Sequence, residues 1–207
     1  MTQPRSLSPD TLRGRCRALP PTVLLIVNVL GFQLGWIACV TLRAPGLLVA
    51  LPVLAWFVWL SPLPARAAAW LLCCTGIGLL CDGLLLGSGL LRLVGLPVCE
   101  GGLAWGWLHL ACSSPPPPWR TGLVLAPAWM AVLWPLLGST LDRSMAWLQG
   151  RWWLAAALGG VGGLASYEAG ARLGAVEMVD VATSRWLLGL GWALLMPLLL
   201  VLARRWR

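Results

Sequence analysis

The sequence predicts an all-α, polytopic membrane bundle of about six spanning helices with both termini cytoplasmic. Three observations predict it. Hydrophobic residues make up 59% of the 207-residue chain and charged residues only 11%, against about a quarter charged in soluble domains. A water-facing surface cannot be covered with so few charges. The apolar residues fall in continuous runs rather than strict alternation, which in lipid means helices rather than barrel strands. All fifteen basic residues are Arg, placed mostly at the ends of those runs, as topology signals are. The formal charge of +8 is therefore read as a topology signal and not as a nucleic-acid footprint.

Taken in order, residues 1–19 form a basic cytoplasmic tail, and 20–207 a single transmembrane helix-bundle domain. The apolar run after the tail is about twenty residues long, longer than the about 7–15 of a signal h-region, so the first span is expected to stay. A crossing needs about 20 apolar residues. Six stretches meet or approach that: Pro21–Val40, Pro45–Leu60, Ala67–Leu86, Gly122–Leu141, Trp152–Ala171 and Trp186–Ala203. The second is short and holds Pro52. With the N-terminus inside, ten Arg fall on inside segments and five, at 43, 92, 120, 172 and 185, outside. That bias puts both termini in the cytoplasm, and the membrane is expected to be of the bacterial inner-membrane type.

An outer loop spans 88–120. Its apolar piece Leu103–Cys112 is read as interfacial or re-entrant, with Trp105 and Trp107 at headgroup level. As a seventh span it would carry Glu100 and His109 into lipid. Pro115–Pro118 forms a stiff extended linker. Cys99 and Cys112 are the two Cys of this loop, and a periplasmic setting would let them form a disulfide. The abundant Trp reads as an interface belt.

Polar groups inside the spans mark the candidate site. At 1.5 Å per residue, Asp82 lies about 22 Å and Glu168 about 24 Å from the inner face. The third and fifth spans run the same way, so the two carboxylates sit at similar depth. Arg172 follows Glu168 by four residues and shares its helix face, and Tyr167 lies on a neighbouring face. Asp82, Glu168 and Arg172 open to the outer side would suit acid/base work, a cationic ligand or a proton relay. The bland reading has Glu168 and Arg172 neutralise each other and Asp82 accept bonds from a neighbouring helix. In the first span, Asn28 and Gln33 lie about 10 and 18 Å deep, and helix packing explains them at least as well. Ser139 to Ser144 read as a solvated helix end.

Small residues recur at four-residue spacing: Gly31/Gly35, Gly83/Gly87, Gly159/Gly163 and Gly170/Gly174. They mark packing within the bundle or a homo-oligomer face. No Cys-x-x-Cys pair occurs and there is one His, so no metal site of ordinary spacing is expected. No haem, nicotinamide or nucleotide signature is present, and no cofactor is implied.

Three stretches resemble a bacterial integral membrane family, domain of unknown function 2878. They are Phe32–Val40 (FQLGWIACV), Ser139–Leu148 (STLDRSMAWL) and Gly159–Val176 (GGVGGLASYEAGARLGAV). Asp82 after a Leu-rich run also fits, and the likeness covers roughly Val23 to the C-terminus. The family pattern has Asn-His where this chain has Asp142-Arg143, so no role of that His carries over. Members resemble one another in context too, being encoded near enzymes that modify membrane fatty acids. The resemblance thus implies, by association, an accessory component of membrane-lipid or fatty-acid modification, with membrane lipids and a lipid-modifying enzyme as partners. Two other readings fit the residues. One is a small carrier with an intramembrane carboxylate site for a cation or proton. The other is an intramembrane lipid-modifying enzyme using the same carboxylates.

Overall fold

Helix starts are set by ring and cap chemistry. The structure, a computed structural model, describes residues 19–94 and 125–206, together with Gly14. Helix α1 (Pro21–Leu42) and α3 (Pro64–Gly87) each begin on a proline, whose missing N–H is one the first turn leaves unpaired anyway. Between them lies α2 (Leu47–Leu60), entered through a 3₁₀ turn at Ala44–Gly46. The fourth apolar run divides into α4 (Ala128–Ala131) and α5 (Leu133–Leu141). Pro135 has no N–H to offer Ala131, four residues back, so the ladder breaks there. This corrects the continuous span expected over Gly122–Leu141. Helix α6 is Trp152–Arg172 and α7 is Val181–Arg205. Asp180 caps α7 by accepting from the Thr183 N–H at 3.2 Å. Its bonds to Thr183 hold that exposed carboxyl below the usual carboxylate range.

Among the described residues, three helices, α1, α3 and α7, are long and apolar enough to cross a membrane by length and composition, and α6, expected as the fifth span, is not one of them. Two shorter apolar segments, Ala44–Leu60 and Ala128–Leu141, accompany them. Their outward faces are greasy: Leu34 is 59% exposed, Leu72 70% and Leu194 77%. Water would not stabilise apolar surface on this scale, and lipid does.

The described residues are mostly helical, with one small addition. Leu91–Leu93 (β1) pairs antiparallel with Val176–Met178 (β2), Arg92 facing Glu177. Each strand buries its first residue and exposes its second, the alternation of a half-buried strand. A three-residue alternation is too short to read against the apolar runs around it.

Contacts sort the helix ends into two tiers. At one end the Arg43 guanidinium donates to Gly174 O at 2.6 Å, the Ser184 hydroxyl donates to Leu90 O at 3.2 Å, and β1 meets β2. At the other, Arg204 Nε donates to Gln149 Oε1 at 3.3 Å, and the Arg143 guanidinium sits 4.5 Å from the Phe57 ring centroid. A cavity of about 460 Å³ at this second end is walled by Pro21, Ala203 and Trp206 among others. The start of α1 and the end of α7 therefore meet at one end of the bundle.

The Gly spacing is used within the chain. A Cβ on Gly159 or Gly163 would overlap α7, and one on Gly35 would crowd Leu136. The basic tail apart from Gly14 and Leu19, and the segment holding Cys99, Glu100, Trp105, Trp107, His109 and Cys112, lie outside the described residues.

Candidate functional site

A single carboxylate ties three helices together. Asp82, on α3, is 1% exposed. Its Oδ2 accepts the indole N–H of Trp134 on α5 at 2.7 Å. Its Oδ1 accepts the phenol O–H of Tyr167 on α6. A buried carboxylate is tolerable only when its oxygens find donors, and both do.

Glycines one turn before the polar residues make this arrangement fit. Gly78 precedes Asp82 by four positions, and a Cβ there would overlap the Trp134 indole. Gly163 precedes Tyr167 by four, and a Cβ there would overlap the Trp192 indole. The two indoles stack on each other, centroids 5.0 Å apart and planes 15° off parallel. Each bare glycine thus seats one ring, and the ring pair forms a floor whose Trp134 edge meets the carboxylate.

Beside that floor lies a cavity of about 250 Å³. Phe32 and Trp36 of α1, Leu133 of α5 and Met196 of α7 contribute apolar wall. Among the described residues, Asp82 is the sole charged side chain lining it, and Tyr167 and Ser166 bring hydroxyls. Chemically the wall offers a carboxyl next to a phenol in otherwise apolar surroundings. Such a pair can hold a polar group or pass a proton.

The residues singled out from sequence separate. Asp82 and Tyr167 come together. Glu168, one residue on, turns to α7 and pairs with Arg185 at 2.5 Å, so it neither joins Asp82 nor takes Arg172 as its bonded partner. Arg172 is exposed at the end of α6. The common depth of the two carboxylates was a matter of rise per residue; their facing was decided by the roughly 100° between successive residues on a helix. Gln33 is exposed on the outer side of α1, away from the cavity that its neighbours Phe32 and Trp36 line. Asn28 works at the opposite tier. Its amide donates to Ser139 O at 3.0 Å, and it accepts from the Ser144 hydroxyl at 2.7 Å. Ser139 and Thr140 are 0% and 3% exposed, so this helix end is buried rather than solvated. Their hydroxyls bond back to Leu136 O and Leu137 O. The proposed Cys99–Cys112 bond lies outside the described residues.

Trp134 and Trp192 were missed because Trp reads first as an interface residue. Trp70, Trp129 and Trp134 are instead 2–4% exposed. A signal was available for Trp134. It sits mid-run, too deep to reach a headgroup, and a buried indole N–H needs an acceptor.

The family model described as Protein of unknown function (DUF2878) matches residues 25–198. The chain belongs to the DUF2878 family. The matched range in this DUF2878 protein runs from Leu25 in α1 to Leu198 in α7, and so encloses the whole cavity and both of Asp82's donors. No curated protein and no solved structure matches the chain.

Proposed function

We propose that this DUF2878 protein crosses a bacterial inner membrane six times with both ends in the cytoplasm. We propose further that it serves membrane-lipid or fatty-acid modification as an accessory component. The observation that carries the reading is the cavity: apolar walls around one carboxyl–phenol pair, in a bundle whose outer faces are apolar too. Such a wall suits the apolar part of a lipid better than a hydrated solute. The two-tier arrangement of helix ends supports the six crossings, because consecutive segments run in opposite directions.

The carrier reading loses support, since it drew on two carboxylates acting together and Glu168 is held by Arg185. The enzyme reading keeps one specific observation, the Tyr167 hydroxyl aimed at Asp82. The test is whole-cell lipid analysis of a deletion strain carrying wild type, Asp82→Asn, Tyr167→Phe or Glu168→Gln. The expected outcome is an altered fatty-acid profile on deletion, restored by wild type and Glu168→Gln but not by Asp82→Asn. An unchanged profile in the deletion strain would overturn the lipid reading. If the purified chain alone converts a lipid, the enzyme reading replaces the accessory one.

A further inference from the structure

Among the described residues the cavity has a gap in its wall. Helix α1 packs on α2 and α5, and α6 packs on α7, but α1 and α6 are not among the well-packed pairs, although both line the cavity. On the α6 side the lining residues Leu158, Gly162 and Ser166 are also exposed on the outer surface. On the α1 side stand Phe32 and Trp36. The two neighbouring glycines of α6 differ sharply. A Cβ on Gly163 would overlap the Trp192 indole, whereas one on Gly162 meets nothing within 4 Å. Among the described residues, Gly162 therefore has open space beside it and also lines the cavity.

Depth decides what that opening faces. Gly162 is the midpoint of α6 (Trp152–Arg172). At 1.5 Å per residue that is about 15 Å along the axis; with α6 crossing as proposed above, this is the middle of a hydrocarbon layer roughly 30 Å thick. An opening there faces alkyl chains and not water. The volume of about 250 Å³ is below the roughly 300–1,000 Å³ of pockets that enclose a drug-sized ligand. It takes part of one chain and not a whole two-chain lipid.

The geometry points to a lateral portal between α1 and α6, through which one alkyl chain of a membrane lipid enters and lies along the Trp134–Trp192 floor beside Tyr167. This deepens the lipid reading and rests on it for the membrane setting. The sequence encodes the portal as adjacent glycines with opposite duties: Gly163 seats an indole inside, and Gly162 keeps the doorway clear.

The test uses the full chain reconstituted in vesicles of phosphatidylethanolamine and phosphatidylglycerol that carry a photoactivatable diazirine at mid-acyl chain. Labelled residues are mapped by peptide mass spectrometry. Wild type should be labelled at interior residues Trp134 or Tyr167 as well as on lipid-facing Leu34. Gly162→Leu, and separately Ser166→Leu one turn on, should lose the interior labels and keep Leu34. Gly76→Leu, another exposed glycine with nothing within 4 Å, should keep both. Thermal unfolding checks that each variant is folded, and either plug variant alone suffices. Interior labels that survive both plugs, or labels confined to lipid-facing residues in wild type, overturn the portal. The lipid profile of the deletion strain is read in parallel. Interior labelling with an unchanged profile leaves the portal standing and sinks the lipid-modification role; the reverse combination does the opposite.

Discussion

Asp82 has two oxygens, and each receives one neutral donor. The donors differ in what they can do otherwise. An indole N–H only donates, whereas a phenol both donates and accepts. In Asp82→Asn the amide oxygen can turn to Trp134 and its NH₂ can donate to Tyr167, so the variant should fold nearly as wild type with the charge removed. Trp134→Phe leaves a buried oxygen one donor short and should cost about 1–3 kcal/mol. Denaturant unfolding in detergent checks the order; Asp82→Asn proving the less stable of the two would show that charge, not donor number, holds the site. Asp82 itself was legible in the sequence, because an acid that deep in an apolar run stands out. Its partners were not. Tyr167 and Glu168 are adjacent, and no depth argument says which of them turns inward.

At the scale of elements, α6 is organised by which face each glycine occupies. The face with Gly159 and Gly163 lies against Trp192 and Met196 of α7. Gly163→Leu should therefore displace the stacked indole and destabilise the bundle by about 1–3 kcal/mol or more, the usual cost of overpacking. Loss of the folded fraction on size exclusion and a lower unfolding midpoint would show it. A Gly163→Leu protein that stays folded but loses a subunit partner would instead make this face an oligomer contact. The four-residue spacing of glycine was visible in sequence, and so was its use in close helix approach. What the spacing left open was the identity of the neighbour, here a helix of the same chain. The β1–β2 pair shows the same division. The Leu-Arg-Leu and Val-Glu-Met triplets alternate locally, but only the approach of the α3 and α6 ends makes them partners.

For the whole molecule, the testable consequence is sidedness. The α2–α3 turn and the α3–β1 turn lie at opposite ends of α3. In a cysteine-free background, Ser88→Cys should react with a membrane-impermeant maleimide in intact cells, and Pro62→Cys only after lysis. Both sites reacting from one side would refute the crossing of α3, and a reversed pattern would invert the topology drawn from the Arg bias. The helices that form the cavity come from early, middle and late parts of the chain, with α1, α3, α5, α6 and α7 all contributing. The carboxyl–phenol pair itself joins residues 85 positions apart in the chain.

The sequence by itself determined the solvent, the helical class and the rough limits of the apolar segments, since composition and run length act residue by residue against lipid. It also determined that Asp82 would need partners. Tertiary structure decided who those partners are. Rotation about a helix axis separated Tyr167 from Glu168, and Pro135 broke the fourth run. Bare glycines on α3 and α6 let two indoles stack beside the carboxylate. These outcomes depend on distances between segments far apart in the chain, and one-dimensional periodicity carries no information about which face meets which neighbour.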